Sequence, residues 1–226
     1  MTIRLEEFEM GVRINESESW STALRTRDAI LPGMVTLILV AIFAYLSPGL
    51  SLIVTFVPAI ILAYVCYLLT SFQQMPDPSR VLPVYLVAFG VQFLHFAEEF
   101  TTEFYTRWPV EVFNAAPFEL TTFVQINMVS YAAFALGAVA IYRGIKGPML
   151  IVWFFTIMGV IGNAVLHPVY PILATGEFGY FPGLYTSVIY LILGPILFYR
   201  LWEIRSDSGS GVNRDVETNS KAGSSQ

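Results

Sequence analysis

The stretch VLPVYLVAFGVQFLHFAEE, residues 81–99, decides the fold class. Its first fourteen residues are apolar except for Gln92, and the run is about as long as the ~20 residues a helix needs to cross a ~30 Å hydrocarbon layer. It then ends in His95, Glu98 and Glu99. Ionisable side chains at membrane depth are costly, and by default they mark a working site. One segment therefore carries both the architecture and the chemistry.

Five further runs resemble it in length and composition: roughly 29–47, 50–71, 120–142, 148–167 and 183–202. In lipid, backbone polar groups must be satisfied inside the segment, so each run is read as a helix. None shows the alternation of a membrane β-strand. The expected fold is an all-α polytopic transmembrane bundle of about six spans. Ser47-Pro48-Gly49 is the only break between the first two runs, so five spans remain open if that pair is re-entrant.

Composition agrees. Of 226 residues, 55% are hydrophobic and 13% charged, and the mean hydropathy is +0.63. A soluble domain carries roughly 25% charged residues, and a chain of this size could not bury such an apolar surplus. The single cysteine, Cys66, rules out an internal disulfide and a cysteine-rich metal site. The twelve basic residues are dispersed, which argues against nucleic acid.

Those basic residues orient the bundle. Arg25, Arg27, Arg80, Arg143, Lys146, Arg200, Arg205, Arg214 and Lys221 fall on one side, and Arg107 alone on the other. Cytoplasmic loops are enriched in Lys and Arg, so both termini are predicted to be cytoplasmic. Residues 1–28 form a polar N-terminal segment without the features of a cleavable signal, and the first span is expected to act as its own insertion signal. Residues 29–205 form the helical domain, and 206–226 are expected to be a disordered tail. The membrane is either the plasma membrane or an endomembrane. Oligomeric state is left open.

The polar residues sort by depth. Gln92, His95, Glu98 and Glu99 fall on one side of the third span. Asn163 and His167, four apart, share a face near the outer end of the fifth. Thr121, Thr122, Gln125 and Asn127 begin the fourth span, which runs inward from the same layer, and Tyr180 and Tyr185 flank the start of the sixth. The loops at 100–119 and 168–182 are aromatic-rich and longer than connections require, as lids or binding surfaces are. Aromatics resting at headgroup level would look the same.

His95, Glu98, Glu99 and His167 form a candidate ligand set for a divalent metal such as zinc or iron. Two histidines and one glutamate would bind, leaving the other glutamate as general base. Asn163 would orient His167 or bind substrate. Gln92, Asn127, Tyr180 and Tyr185 are candidate substrate contacts. Without metal, the same groups could move protons to and from an apolar substrate. The leading expectation is a membrane-embedded enzyme of hydrolase, isomerase or cyclase type, acting on a lipophilic small molecule. The alternatives are a proton-coupled transporter and a non-catalytic membrane interaction protein whose polar residues only join helices.

Three motifs occur in order: His95-Phe-Ala-Glu98-Glu99, Asn163-Ala-Val-Leu-His167 and Tyr180-Phe-Pro182-Gly183. Together they resemble the HXXEE-domain family of small multi-spanning membrane proteins, over roughly residues 80–200. The resemblance implies a membrane location and a shared site built from these motifs. It implies no particular reaction.

Overall fold

The computed structural model describes residues 3–203, with side chains from Arg25 onward. The tail expected at 206–226 lies outside the described residues. The described chain is helical throughout, with no strand. Its elements are α1 (Ile3–Leu46), α2 (Ser51–Leu69), α3 (Pro78–Thr101), the single turn α4 (Phe104–Arg107), α5 (Leu120–Arg143), α6 (Met149–Phe154), α7 (Asn163–Thr175) and α8 (Leu184–Trp202). Two π-helical segments, Trp108–Val112 and Phe155–Gly162, complete the set. Six helices are long and apolar enough to cross a membrane: Arg25–Leu46, Ser51–Leu69, Pro78–Thr101, Leu120–Arg143, Met149–Thr175 and Leu184–Trp202.

Prolines and short polar side chains fix how the first helices meet. Pro32 has no N–H, so the Asp28 carbonyl one turn earlier lacks its helical donor. The Tyr67 hydroxyl of α2 donates to that carbonyl at 2.7 Å, and the Tyr64 hydroxyl donates to Ala29 at 3.1 Å. The turn between α1 and α2 is held by Ser47, whose hydroxyl accepts from the Leu52 N–H at 3.0 Å. Gly49 there has φ +59°, a conformation that favours glycine. Both helices are long and apolar enough to cross, which makes six candidate spans.

The fifth span is the core of the bundle. Over half of its apolar window is buried, 56% against 17–33% for the other five. It runs through α6, the π segment and α7 without a break, with α2, α5 and α8 packed on it. α3 lies against α5 and α8. Gly137 of α5 allows a close approach there, since a Cβ would stand 2.6 Å from the Tyr85 hydroxyl oxygen. That hydroxyl donates to the Phe134 carbonyl at 2.8 Å.

The two expected loops are shorter than their sequences suggest. α7 continues to Thr175 with Pro168 and Pro171 inside it, so only Gly176–Gly183 connects it to α8. Membrane helices tolerate proline because neighbours satisfy the freed groups. In the 100–119 segment, α4 and the first π turn fold inward, burying Phe104, Trp108 and Phe118. These aromatics form a lid of stacked rings, with Phe104 and Trp108 at 5.2 Å and 13°, and Trp108 and Phe118 at 6.1 Å and 12°.

Candidate metal centre

α3 brings His95 and Glu99 to one face, one turn apart, and α7 brings His167 opposite them. All three side chains are buried, with relative exposures of 0%, 7% and 1%. Glu99 Oε1 lies 3.4 Å from His95 Nε2 and 3.4 Å from His167 Nε2. One ligand atom from each residue lies within 4.8 Å of the others.

Hydrogen bonds at the far ring nitrogens determine which proton each imidazole carries. His167 Nδ1 faces the Pro182 carbonyl at 2.7 Å. A carbonyl only accepts, so Nδ1 must hold the proton. His95 Nδ1 faces the Thr186 hydroxyl at 2.8 Å. That hydroxyl spends its one proton on Glu98 Oε2, at 2.6 Å, so it accepts from His95 Nδ1–H. In a neutral ring held this way Nε2 is a bare lone pair, and both Nε2 atoms face Glu99 Oε1. His95 Nε2 is buried without a hydrogen-bond partner. Three electron-rich atoms converging at one buried point repel one another unless a cation or a proton lies between them.

Glu98 has a different place from the one its spacing suggests. Oε1 accepts from the Tyr180 hydroxyl at 3.2 Å and the Tyr185 N–H at 3.0 Å, and Oε2 accepts from the Thr186 N–H at 2.9 Å and its hydroxyl. The carboxylate thus caps the N-terminus of α8 from another helix, where N–H groups are orphaned and the dipole favours negative charge. Glu98 stands outside the converging trio. With both oxygens engaged, it is not the free base that the sequence offered.

Tyr180-Phe-Pro-Gly183 is used residue by residue. Tyr180 donates to Glu98. Burial, with the carboxylate beside it, raises that hydroxyl above its ordinary range, so it stays a donor. Phe181 is buried against Phe104 and Tyr170. Pro182 supplies the carbonyl for His167. Gly183, at φ +85°, lies flat against both rings: a Cβ there would stand 2.4 Å from His167 Cε1 and 2.9 Å from His95 Cε1.

A cavity of about 90 Å³ borders Glu99 and His167. Its polar wall is Gln92, Glu99, Asn127, Asn163 and His167, and aromatic rings form most of the remainder. Asn163 does not orient His167: its amide donates to the Gly159 carbonyl at 3.0 Å, and Asn127 likewise donates to Phe123. Gln92 is fixed by the Tyr190 hydroxyl, which donates to its Oε1 at 2.8 Å, and by Tyr131, which donates to its carbonyl. Tyr180 and Tyr185 stack on each other at 4.7 Å beside Glu98, outside the cavity. Tyr185 is 71% exposed.

Sequence reasoning missed Thr186, Phe104 and Tyr170. Phe104 and Tyr170 pack on His167 at 5.3 and 5.4 Å. It also missed the π segment Phe155–Gly162, which leads directly into Asn163. Such wide turns appear often at functional sites. No protein-family model matches the chain, and neither curated proteins nor solved structures provide a match.

Proposed function

We propose that the protein is a multi-pass membrane enzyme that holds one divalent metal between His95 Nε2, His167 Nε2 and Glu99 Oε1, and acts on a lipophilic small molecule. The observation that carries this is the pair of 3.4 Å separations between bare Nε2 atoms and one carboxylate oxygen. Charge-assisted hydrogen bonds run about 2.7–2.9 Å, and these contacts are longer than that. A tetrahedral ion with bonds near 2.0–2.1 Å sets its ligands about 3.3 Å apart.

The surroundings suit the same reading. Metal-bound histidines typically donate their other N–H to a carbonyl or a carboxylate-linked group. Pro182 fills that role for His167, and Thr186 with Glu98 fills it for His95. Three protein ligands leave room for water or substrate, as catalytic sites do. The ion would polarise a substrate oxygen or activate a water. Gln92, Asn127 and Asn163 would hold the substrate's polar part against it. The aromatic lid would keep bulk water out. Membership of the HXXEE-domain family, carried by the three motifs, belongs to this proposal, as does the orientation with both termini cytoplasmic.

The test begins with metal content. Purified protein supplied with zinc or ferrous iron should carry one equivalent, and the His95→Ala, His167→Ala double variant should carry none. Metal-loaded protein incubated with membrane lipid extracts should consume a lipophilic species that Glu99→Gln leaves intact. Equal metal content in wild type and double variant would overturn the centre. Equal turnover by Glu99→Gln would overturn the enzyme.

A further inference from the structure

A second cavity meets the first. An apolar groove of about 360 Å³ runs between the outer half of α1 and the start of α5, with α6 as its floor. Ile126, Ser130, Phe134 and Phe154 line both spaces. The groove thus lies directly beside the cavity that borders Glu99 and His167.

Its position and form suit one occupant. Ile42 and Val129 on its rims are 42% and 71% exposed, on helices of membrane-spanning length, so the opening faces the lipid. From Thr122 to Phe134 it follows twelve residues of α5, about 18 Å. That is close to half of the ~30 Å hydrocarbon layer, the reach of one leaflet's chains. Polar groups gather at one end, where Thr122 and Gln125 line the groove, while the deeper end is closed by Ala133, Phe134, Ile151 and Phe154. The cavity beyond, at about 90 Å³, takes only a compact head.

We infer that the substrate is an amphiphile with a long hydrocarbon chain and a compact, oxygen-bearing head, which enters sideways from the bilayer. The chain lies in the α1/α5 groove and the head passes Ser130 to reach Glu99 and His167. This rests on the enzyme reading above and adds the substrate class and its path.

The test uses the full chain in lipid nanodiscs, loaded with zinc, and a long-chain fatty acid carrying a diazirine and an alkyne. Light-induced adducts should map to residues 39–46 and 122–134, and unlabelled fatty acid should compete them away. Ala133→Trp, filling the groove, should lower that labelling by about tenfold, the affinity carried by roughly two buried CH₂ groups. Ile42→Trp on the opposite wall should do the same, which keeps the test open if one variant fails to fold. Ile192→Trp, exposed on α8, should leave labelling unchanged. Adducts spread evenly over α1, α5 and α8, or labelling indifferent to both groove variants, would overturn the proposal. So would a groove shielded by a second copy of the chain. Zinc is measured in each preparation: zinc bound without directed labelling sinks the groove alone, and directed labelling without zinc sinks the metal centre alone.

Discussion

The imidazoles of His95 and His167 meet edge to face, their ring centroids 4.6 Å apart and their planes at 88°. The two histidines come from different helices, and their Nδ1 atoms have different partners, the Thr186 hydroxyl for His95 and the Pro182 carbonyl for His167. Each ring is set by what its Nδ1 donates to, and both Nε2 atoms turn toward Glu99 as a result.

The groups behind the rings should therefore control metal affinity without touching metal. Thr186→Val removes the acceptor of His95 Nδ1–H, and Glu98→Gln weakens the hold on Thr186. Loss of such outer partners typically lowers affinity by about 10–100-fold. Chelator competition on the purified variants should read that drop, and Thr186→Ser, which keeps the hydroxyl, should restore most of it. Wild-type affinity in Thr186→Val would show that His95 is not held in this way.

Gly183 should tolerate no side chain. Alanine there places a methyl group against both imidazoles at a backbone angle that L residues rarely adopt. Strain of this kind is worth about 1–3 kcal/mol. Thermal unfolding in detergent should show the loss, and metal stoichiometry should fall with it because the rings must move.

Gly137 separates stability from chemistry. Leucine at this position would push the Tyr85 hydroxyl off the Phe134 carbonyl and open the α3–α5 contact. Overpacking of this sort costs about 1–3 kcal/mol. The melting temperature should drop, while the fraction that stays folded should keep its metal. Metal loss in that folded fraction would mean that the centre depends on the α3–α5 spacing.

Orientation is open to a labelling test. Cys66 is buried, so the native thiol gives little background. In intact cells a membrane-impermeant maleimide should label Glu177→Cys, next to the centre's side of the bundle. Gln73→Cys, on the basic side, should react only after permeabilisation. The reverse pattern would invert the predicted topology.

The spans were legible because hydrocarbon thickness imposes a length that composition alone reveals. The pairing of His95 and Glu99 was legible because a helix puts residues four apart on one face. Choosing between Glu98 and Glu99 was not. They sit three and four residues from His95, and only the position of α8 decides which one turns inward. Thr186 was invisible for the same reason, being one hydroxyl among many until α8 is docked. Pro168 and Pro171 read as the end of a helix, yet α7 runs through both, and sequence alone does not show where packing lets a helix continue past proline. The π turns depend on packing around Phe155 and Gly159, and they leave no periodic mark in the chain.

The capping of α8 by Glu98 has a consequence for how the protein is made. α3 and α7 leave the ribosome before α8, and with them come both imidazoles and the Glu99 carboxylate. Until Pro182 to Thr186 follow, Glu98 has no amides to accept from, His95 has no hydroxyl to donate to, and His167 has no carbonyl for its Nδ1. α8, made after the helices that carry the trio, is thus the one that closes the centre, and a nascent chain halted before it would hold the Glu98 carboxylate without its amide donors. Completion of the centre therefore waits on the docking of α8.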